Sequence, residues 1–170
     1  MLKKLYVPWR SKYTKTVTGP VARTDEQDCV FCKQYKENDD QQYFILGRYK
    51  HAFILLNLYP YNAGHIMILP NRHIASLDQL SSEERHEIID LTSKSVEIIQ
   101  QALKSEGSNV GINLGRPAGS GLPGHLHLHI VPRWSGDTNF LPVLFDVKTI
   151  SSDLKDIYQL LLPYFKKLNL

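Results

Sequence analysis

The sequence predicts an α+β fold on an antiparallel sheet, from the order in which its apolar periods change. Three short strand-like runs come first, one long amphipathic helix follows, and two further strand-like runs precede a final helix. Strands grouped before a helix, rather than alternating with helices, do not build a doubly wound parallel sheet. A glycine-rich phosphate loop of the strand-to-helix kind is also missing, so any nucleotide would have to be held by another geometry.

The first run, residues 43–46, is followed by a turn at 47–50 and a second run at 52–57, the pattern of a hairpin. Residues 65–69 form the third run, after the turn-rich stretch 59–64 and before Pro70. The helix opens at Ser81, where Ser81 and Glu84 are spaced for a capping box, and Gly107 is expected to close it. Its apolar residues Ile88, Leu91, Val96, Ile99 and Leu103 repeat at helical spacing. Strands at 109–113 and 126–131 follow, separated by a Gly/Pro-rich loop at 115–124. The last amphipathic stretch, 152–167, is expected to be a helix bent or ended near Pro163.

A chain of 170 residues, 42% apolar and 22% charged, has the composition of an ordinary globular protein with one core. Residues 1–24 read as an N-terminal arm and residues 25–170 as a single domain. The formal charge of +3 comes largely from that arm, through Lys3, Lys4, Arg10, Lys12, Lys15 and Arg23. This suits an anionic partner, although a solvated arm is the commoner meaning of such a run. No stretch has the length of a membrane span or the form of a signal peptide, so a soluble, cytoplasmic protein is expected, without membrane or nucleic-acid partners.

Three histidines, His125, His127 and His129, alternate with Leu126, Leu128 and Ile130. On a strand the histidines share one face at intervals of about 7 Å, and the apolar residues fill the other. Three imidazoles could bind zinc, but rings on one flat strand splay apart, and three-histidine sites usually gather ligands from several elements. The only cysteines, Cys29 and Cys32, are spaced Cys-x-x-Cys. In a reducing compartment this pair reads as metal binding or redox work, with two small buried apolar residues as the alternative. Gly119, Ser120 and Gly121 lie just before the histidines, where small residues let backbone N–H groups approach a phosphate.

The run from His125 to Val131 resembles the signature of the histidine triad (HIT) family, His-φ-His-φ-His-φ-φ, where φ is apolar. The resemblance extends upstream to Asn57, eight residues before His65 of a Gly-His pair, to the Pro70-Asn-Arg-His73 block, and to Cys29 and Cys32, covering about residues 28–140. It implies a five-stranded antiparallel HIT-like fold with a long helix and a C-terminal helix, paired as a homodimer. It also implies a nucleotide-binding enzyme acting on dinucleoside polyphosphates.

By this resemblance His127 is the nucleophile that attacks the α-phosphorus. His65 is expected to accept a hydrogen bond from the far ring nitrogen of His127, or to pass it on to a backbone carbonyl. His129 is a phosphate ligand, Asn113 orients the phosphate, and Asn57 contacts the ribose, though Asn57 also reads as a turn residue before Pro60. Cys29, Cys32, His73 and His125 are the implied ligands of a structural Zn(II), with no organic cofactor. Gly121 and Leu122 stand where the family's common hydrolase branch carries a Gln and a Ser or Thr. The segments 118–121 and 131–140 instead resemble the diadenosine-tetraphosphate phosphorylase branch, in which inorganic phosphate is the co-substrate. The competing expectations are hydrolysis of a nucleoside phosphoramidate or AMP conjugate, a nucleotide-binding regulatory module, and a protein that only holds zinc. His51 and His86 read as surface or turn residues. Tyr6, Trp9, Trp134 and Phe140 could stack on a base, but scattered aromatics are more often packing.

Overall fold

The computed structural model describes residues 25–145, 147, 149–150 and 152–168. The expected arm at 1–24, with Tyr6 and Trp9, lies outside the described residues. The elements run in the order α1 (Val30–Glu37), β1 (Ile45–Arg48), β2 (Ala52–Leu56), β3 (Ile66–Pro70), α2 (Ser82–Leu103), β4 (Gly107–Ile112), β5 (Leu128–Arg133), α3 (Leu141–Leu144) and α4 (Leu154–Phe165). The strands form one sheet in the order β1-β2-β3-β5-β4, and every neighbouring pair is antiparallel.

Both faces of the sheet are covered over β2 and β3, which explains why these strands read as continuous apolar runs rather than alternating ones. Ile54, Leu56, Ile66, Ile68, Leu128 and Ile130 pack on Leu91 and Ile99 of α2 and Leu161 and Phe165 of α4. Phe53, Leu55, Met67 and Leu69 face the other way, against Cys29, Phe31 and Cys32 at the start of α1. Each such fully buried side chain contributes about 1.5–3 kcal/mol relative to exposure.

The start of α2 matches expectation: Ser81 Oγ accepts the Glu84 N–H at 3.2 Å, and the Glu84 carboxylate accepts the Ser81 N–H at 2.7 Å. The same carboxylate takes two hydrogen bonds from Arg72, at 2.7 and 2.8 Å, tying the helix start to the segment that leaves β3. The guanidinium holds the Glu84 pKa down to about 2.

Several boundaries differ from the sequence reading. The helix ends at Leu103, not at Gly107, because Lys104 adopts the left-handed conformation with φ 54° and Gly107 already belongs to β4. Strand β1 begins at Ile45 because Phe44, also left-handed at φ 54°, interrupts the extended chain, and a bulge follows between Ile45 and Gly47. Strand β5 begins at Leu128 rather than 126, because the Leu126 N–H goes to the Ile74 carbonyl at 2.6 Å instead of to a ladder partner. Pro163 lies inside α4, which ends two residues later at Phe165, near the proline as expected. Helices α1 and α3 are short elements that the apolar pattern did not mark.

The turn leading into β3 depends on Gly64, whose φ is +76° and where a Cβ would overlap Leu103 Cδ1 at the end of α2. Gly64→Ala is expected to cost about 1–3 kcal/mol through the left-handed backbone and the displaced leucine. Urea unfolding measures this as a lower midpoint, and an unchanged midpoint would contradict it.

Candidate functional site

Strands β3 and β5 lie side by side, with Met67 opposite His129 and Ile66 opposite Ile130. That register carries His65, just before β3, and His129 to one end of the sheet. His65 Nε2 lies 2.9 Å from His129 Nδ1. His127 is adjacent, its ring centroid 4.9 Å from that of His129 and nearly perpendicular to it. Leu126, Leu128 and Ile130 point into the core on the α2 side, so the alternation read from the sequence holds even though the ladder starts late.

The ring protons are fixed by groups with no choice of role. The His125 carbonyl can only accept, so His127 Nδ1, 2.7 Å away, carries its proton there. In the neutral ring Nε2 of His127 then keeps its lone pair. The Tyr61 N–H can only donate, and at 3.1 Å it makes His65 Nδ1 an acceptor. Neutral His65 therefore donates from Nε2 to His129 Nδ1, which leaves the His129 proton on Nε2. That atom is buried and has no partner among the described residues.

His65 is thus the partner of His129 and not of His127. Neither route expected through His65 is found, because His127 Nδ1 bonds the His125 carbonyl directly and His65 turns to His129. Burial pushes the pKa of His65 down to about 3 and that of His129 to about 4, with neighbouring histidines adding to the effect. Burial lowers the His127 pKa too, against an opposing pull from the hydrogen bond to the His125 carbonyl. At neutral pH all three rings are uncharged. His127 Nε2 then carries a lone pair, and His129 Nε2 beside it carries an N–H.

Phe31 and Tyr61 pack against this group, and sequence reasoning singled out neither. The Phe31 ring lies 5.5 Å from that of His127, and the Tyr61 ring 4.8 Å from His65 and 6.0 Å from His129. Their only signals were local: Phe31 lies inside Cys-x-x-Cys, and Tyr61 stands four residues before His65.

The remaining expected contacts gather on the loops at the same end. Asn57 uses its carbonyl oxygen for the Tyr59 N–H at 3.0 Å, a turn-forming contact, while its amide nitrogen has only long approaches of 3.4 and 3.5 Å to His65. Carrying the β4–β5 register one step beyond Ile112 and Leu128 sets Asn113 opposite His127. A Cβ at Gly119 would lie 3.8 Å from the Asn113 amide nitrogen, and φ at Gly119 is +96°. Ser120 is buried with its Oγ unpartnered, and Gly121 has open space where a side chain would be. His51 and His86 take no part. A cavity of about 1140 Å³ between β1 and α4 contains none of these residues.

On the opposite side of His125 the cluster expected for a metal is assembled. Ligand atoms of Cys29, Cys32, His73 and His125 all lie within 4.8 Å of one another. His125 Nδ1 is 3.4 Å from each sulfur, and His73 Nδ1 is 3.3 Å from Cys32 Sγ. Tetrahedral zinc with Zn–S of about 2.3 Å and Zn–N of about 2.0–2.1 Å requires N···S separations of about 3.5 Å, so the donor set fits. His125 Nε2 donates to the Pro70 carbonyl at 2.9 Å, which turns its Nδ1 lone pair toward the thiols. Without a cation burial pushes the Cys32 thiol up to about 12, so a metal is what would make it a thiolate.

Acid sensitivity follows from the buried His65–His129 pair. In the unfolded chain His65 and His129 titrate near 6.5, well above their folded values of about 3 and 4, so the unfolded state binds more protons as pH falls from about 6.5 toward 4. Stability should therefore drop between pH 7 and 5, before ordinary carboxylates protonate. Denaturant unfolding across that range should show the slope, and His65→Gln should flatten it by up to about one proton. A slope unaffected by His65→Gln would contradict the assignment.

A HIT domain is matched over residues 38–136. The AP-4-A phosphorylase of Mycobacterium tuberculosis is 36% identical over 163 residues, which cover 94% of this chain and 83% of that protein. An asymmetrical bis(5'-nucleosyl)-tetraphosphatase of Schizosaccharomyces pombe is 32% identical over 93 residues, 55% of this chain and 50% of that protein. Among solved structures, a Zn-bound histidine triad family protein from Mycobacterium smegmatis superimposes with a TM-score of 0.68 at 22% identity, covering 84% of this chain and 96% of its own. That likeness shows the fold. With the domain matched over more than half the sequence and a relative above one-third identity across nearly all of it, this protein belongs to the HIT family.

Proposed function

We propose that this protein cleaves dinucleoside polyphosphates at the α-phosphate through a nucleotidyl intermediate on His127. The observation that carries the reading is the neutral imidazole of His127, its Nδ1 proton held by the His125 carbonyl and its Nε2 lone pair free beside an unpartnered His129 N–H. The lone pair attacks the α-phosphorus, an N–P bond forms, and the P–O bond to the polyphosphate breaks, so the leaving nucleotide departs with those electrons. The His129 N–H, oriented by His65, stabilises charge building on a nonbridging oxygen. In the second step an oxygen nucleophile attacks the same phosphorus, the N–P bond breaks, and His127 is restored.

Inorganic phosphate is the favoured second nucleophile, because the mycobacterial phosphorylase resembles this chain over nearly all of its length. Asn113 and the Gly119-Ser120-Gly121 segment would contact the phosphate chain, and the spare donor capacity of the Asn57 amide suits a ribose hydroxyl. A structural zinc on Cys29, Cys32, His73 and His125 would fasten α1 to the start of the triad, and a reducing cytoplasm would keep the thiols available for it. A homodimer would use the unpaired outer edge of β4 and the exposed face of α2 bearing Ile89.

With diadenosine tetraphosphate as substrate, cleavage should require added phosphate and release ADP with ATP. AMP formed without phosphate would mean hydrolysis instead. His127→Ala should lower kcat roughly 10,000-fold or more while nucleotide still binds, and retained turnover would refute the assigned nucleophile. Elemental analysis should find about one zinc per chain, lost in Cys32→Ser together with thermal stability. A metal-free wild-type protein of unchanged stability would contradict the structural metal.

A further inference from the structure

The segment that follows β5 carries a buried carboxylate that the proposed chemistry does not use. The Asp137 side chain is only 6% exposed, although the arginine paired with it is 45% exposed. A half-exposed ion pair stabilises little by itself. Asp137 does more than pair: its Oδ1 takes Arg133 Nη2 at 3.0 Å, and its Oδ2 takes Arg133 Nε at 2.5 Å, the Trp134 N–H at 3.3 Å and Asn62 Nδ2 at 2.8 Å. Arg133 is itself held from β4, where Asn109 Oδ1 accepts from its Nη1 at 2.7 Å.

Asn62 connects this cluster to the histidines. It is buried, and its amide nitrogen donates both to Asp137 and to the Pro132 carbonyl, the latter at 2.9 Å. Its own carbonyl accepts the His65 N–H at 3.2 Å, and the residue before it, Tyr61, supplies the N–H that fixes His65 Nδ1. The loop from Tyr61 to His65 therefore wraps the His65 ring and is anchored through the Asn62 side chain on the end of β5.

We propose that Asp137 is a positioning residue for the His65–His129 relay, acting through Asn62 and the Tyr61 N–H to hold the His129 Nε2 proton toward the phosphate. The chain of contacts runs from Asp137 to Asn62, along one residue of backbone to Tyr61, then to His65 and His129. Removing the carboxylate takes away one of the two Asn62 anchors, and the Tyr61 N–H loses its fixed aim. His65 can then exchange tautomers, and the His129 proton is no longer committed to Nε2. The loss falls on charge that develops only in the transition state, so kcat suffers and KM does not.

The proposal rests on the nucleotidyl-transfer reading, and the test separates the two. Histidine-ring nitrogen-15 NMR is recorded on wild type, Asp137→Ala, Asp137→Asn and Asn62→Ala, alongside kcat and KM for diadenosine tetraphosphate with phosphate. Wild type should show His65 and His129 both protonated at Nε2. Asp137→Ala should show mixed tautomers at His65, with kcat lowered roughly 10- to 100-fold at nearly constant KM. Asp137→Asn keeps an oxygen for Asn62 and should restore both signals and rate. Asn62→Ala leaves the Arg133–Asp137 pair intact and should reproduce the tautomer change, which decides the matter if Asp137→Ala does not fold. A folded Asp137→Ala or Asn62→Ala with wild-type ring spectra, or with wild-type kcat, overturns the proposal. A wild type with the expected ring spectra but no turnover would sink the nucleotidyl-transfer reading, and the ring spectra alone would then decide the positioning role.

Discussion

A carbonyl oxygen can only accept and a backbone N–H can only donate, and the histidine site is organised by one group of each kind. The His125 carbonyl takes the Nδ1 proton of His127, and the Tyr61 N–H occupies Nδ1 of His65. From these two contacts the states of three neutral rings follow without further assumption. His127 is left with a lone pair at Nε2, and His129 with a buried Nε2 proton that no group among the described residues receives. A ring with a lone pair at Nε2 and a ring with a proton at Nε2, the two groups the proposed chemistry needs, thereby arise from the same residue type, two positions apart, through backbone groups that cannot change role.

The rest of the fold holds those two backbone groups still. His125 has a double part: its side chain completes the Cys29, Cys32, His73 cluster, and its carbonyl orients His127. A metal there would set the position of the residue whose carbonyl holds the His127 proton, and so would act on the proposed nucleophile without touching substrate. The Pro70 carbonyl, at the end of β3, aims the His125 ring. The Arg72–Glu84 pair then ties the adjoining segment to the capped start of α2. On the other side the loop at 61–65 is pressed on the end of α2 through Gly64 and anchored on β5 through Asn62. Burial of the rings is the electrostatic counterpart of this framing, because a neutral imidazole is what a desolvated pocket favours.

Much of this was legible in the sequence because it depends on period and spacing. Alternation of His125, His127 and His129 with apolar residues separated site from core, and Ser81 with Glu84 marked the start of the long helix. Cys-x-x-Cys pointed to metal binding or redox work, and the family resemblance supplied His73 and His125 as the other members of a cluster that the fold assembles. What was not legible depends on single backbone conformations or on side chains from distant segments. Phe44 and Lys104 are left-handed without being glycine, so β1 starts late and α2 ends early. The pairing of His65 with His129, rather than with His127, follows from the β3–β5 register, which no local pattern encodes. Tyr61 and Phe31 shape the site through ring packing that becomes visible only once the loops are placed.

The most direct test is chemical capture of the His127 adduct. The protein is mixed with diadenosine tetraphosphate radiolabelled at the α-phosphate, in the absence of inorganic phosphate, quenched within one turnover and digested for peptide mapping. The account predicts label on Nε2 of His127, discharged when phosphate is added before the quench. Product formed in that first turnover with no label on this ring would contradict it.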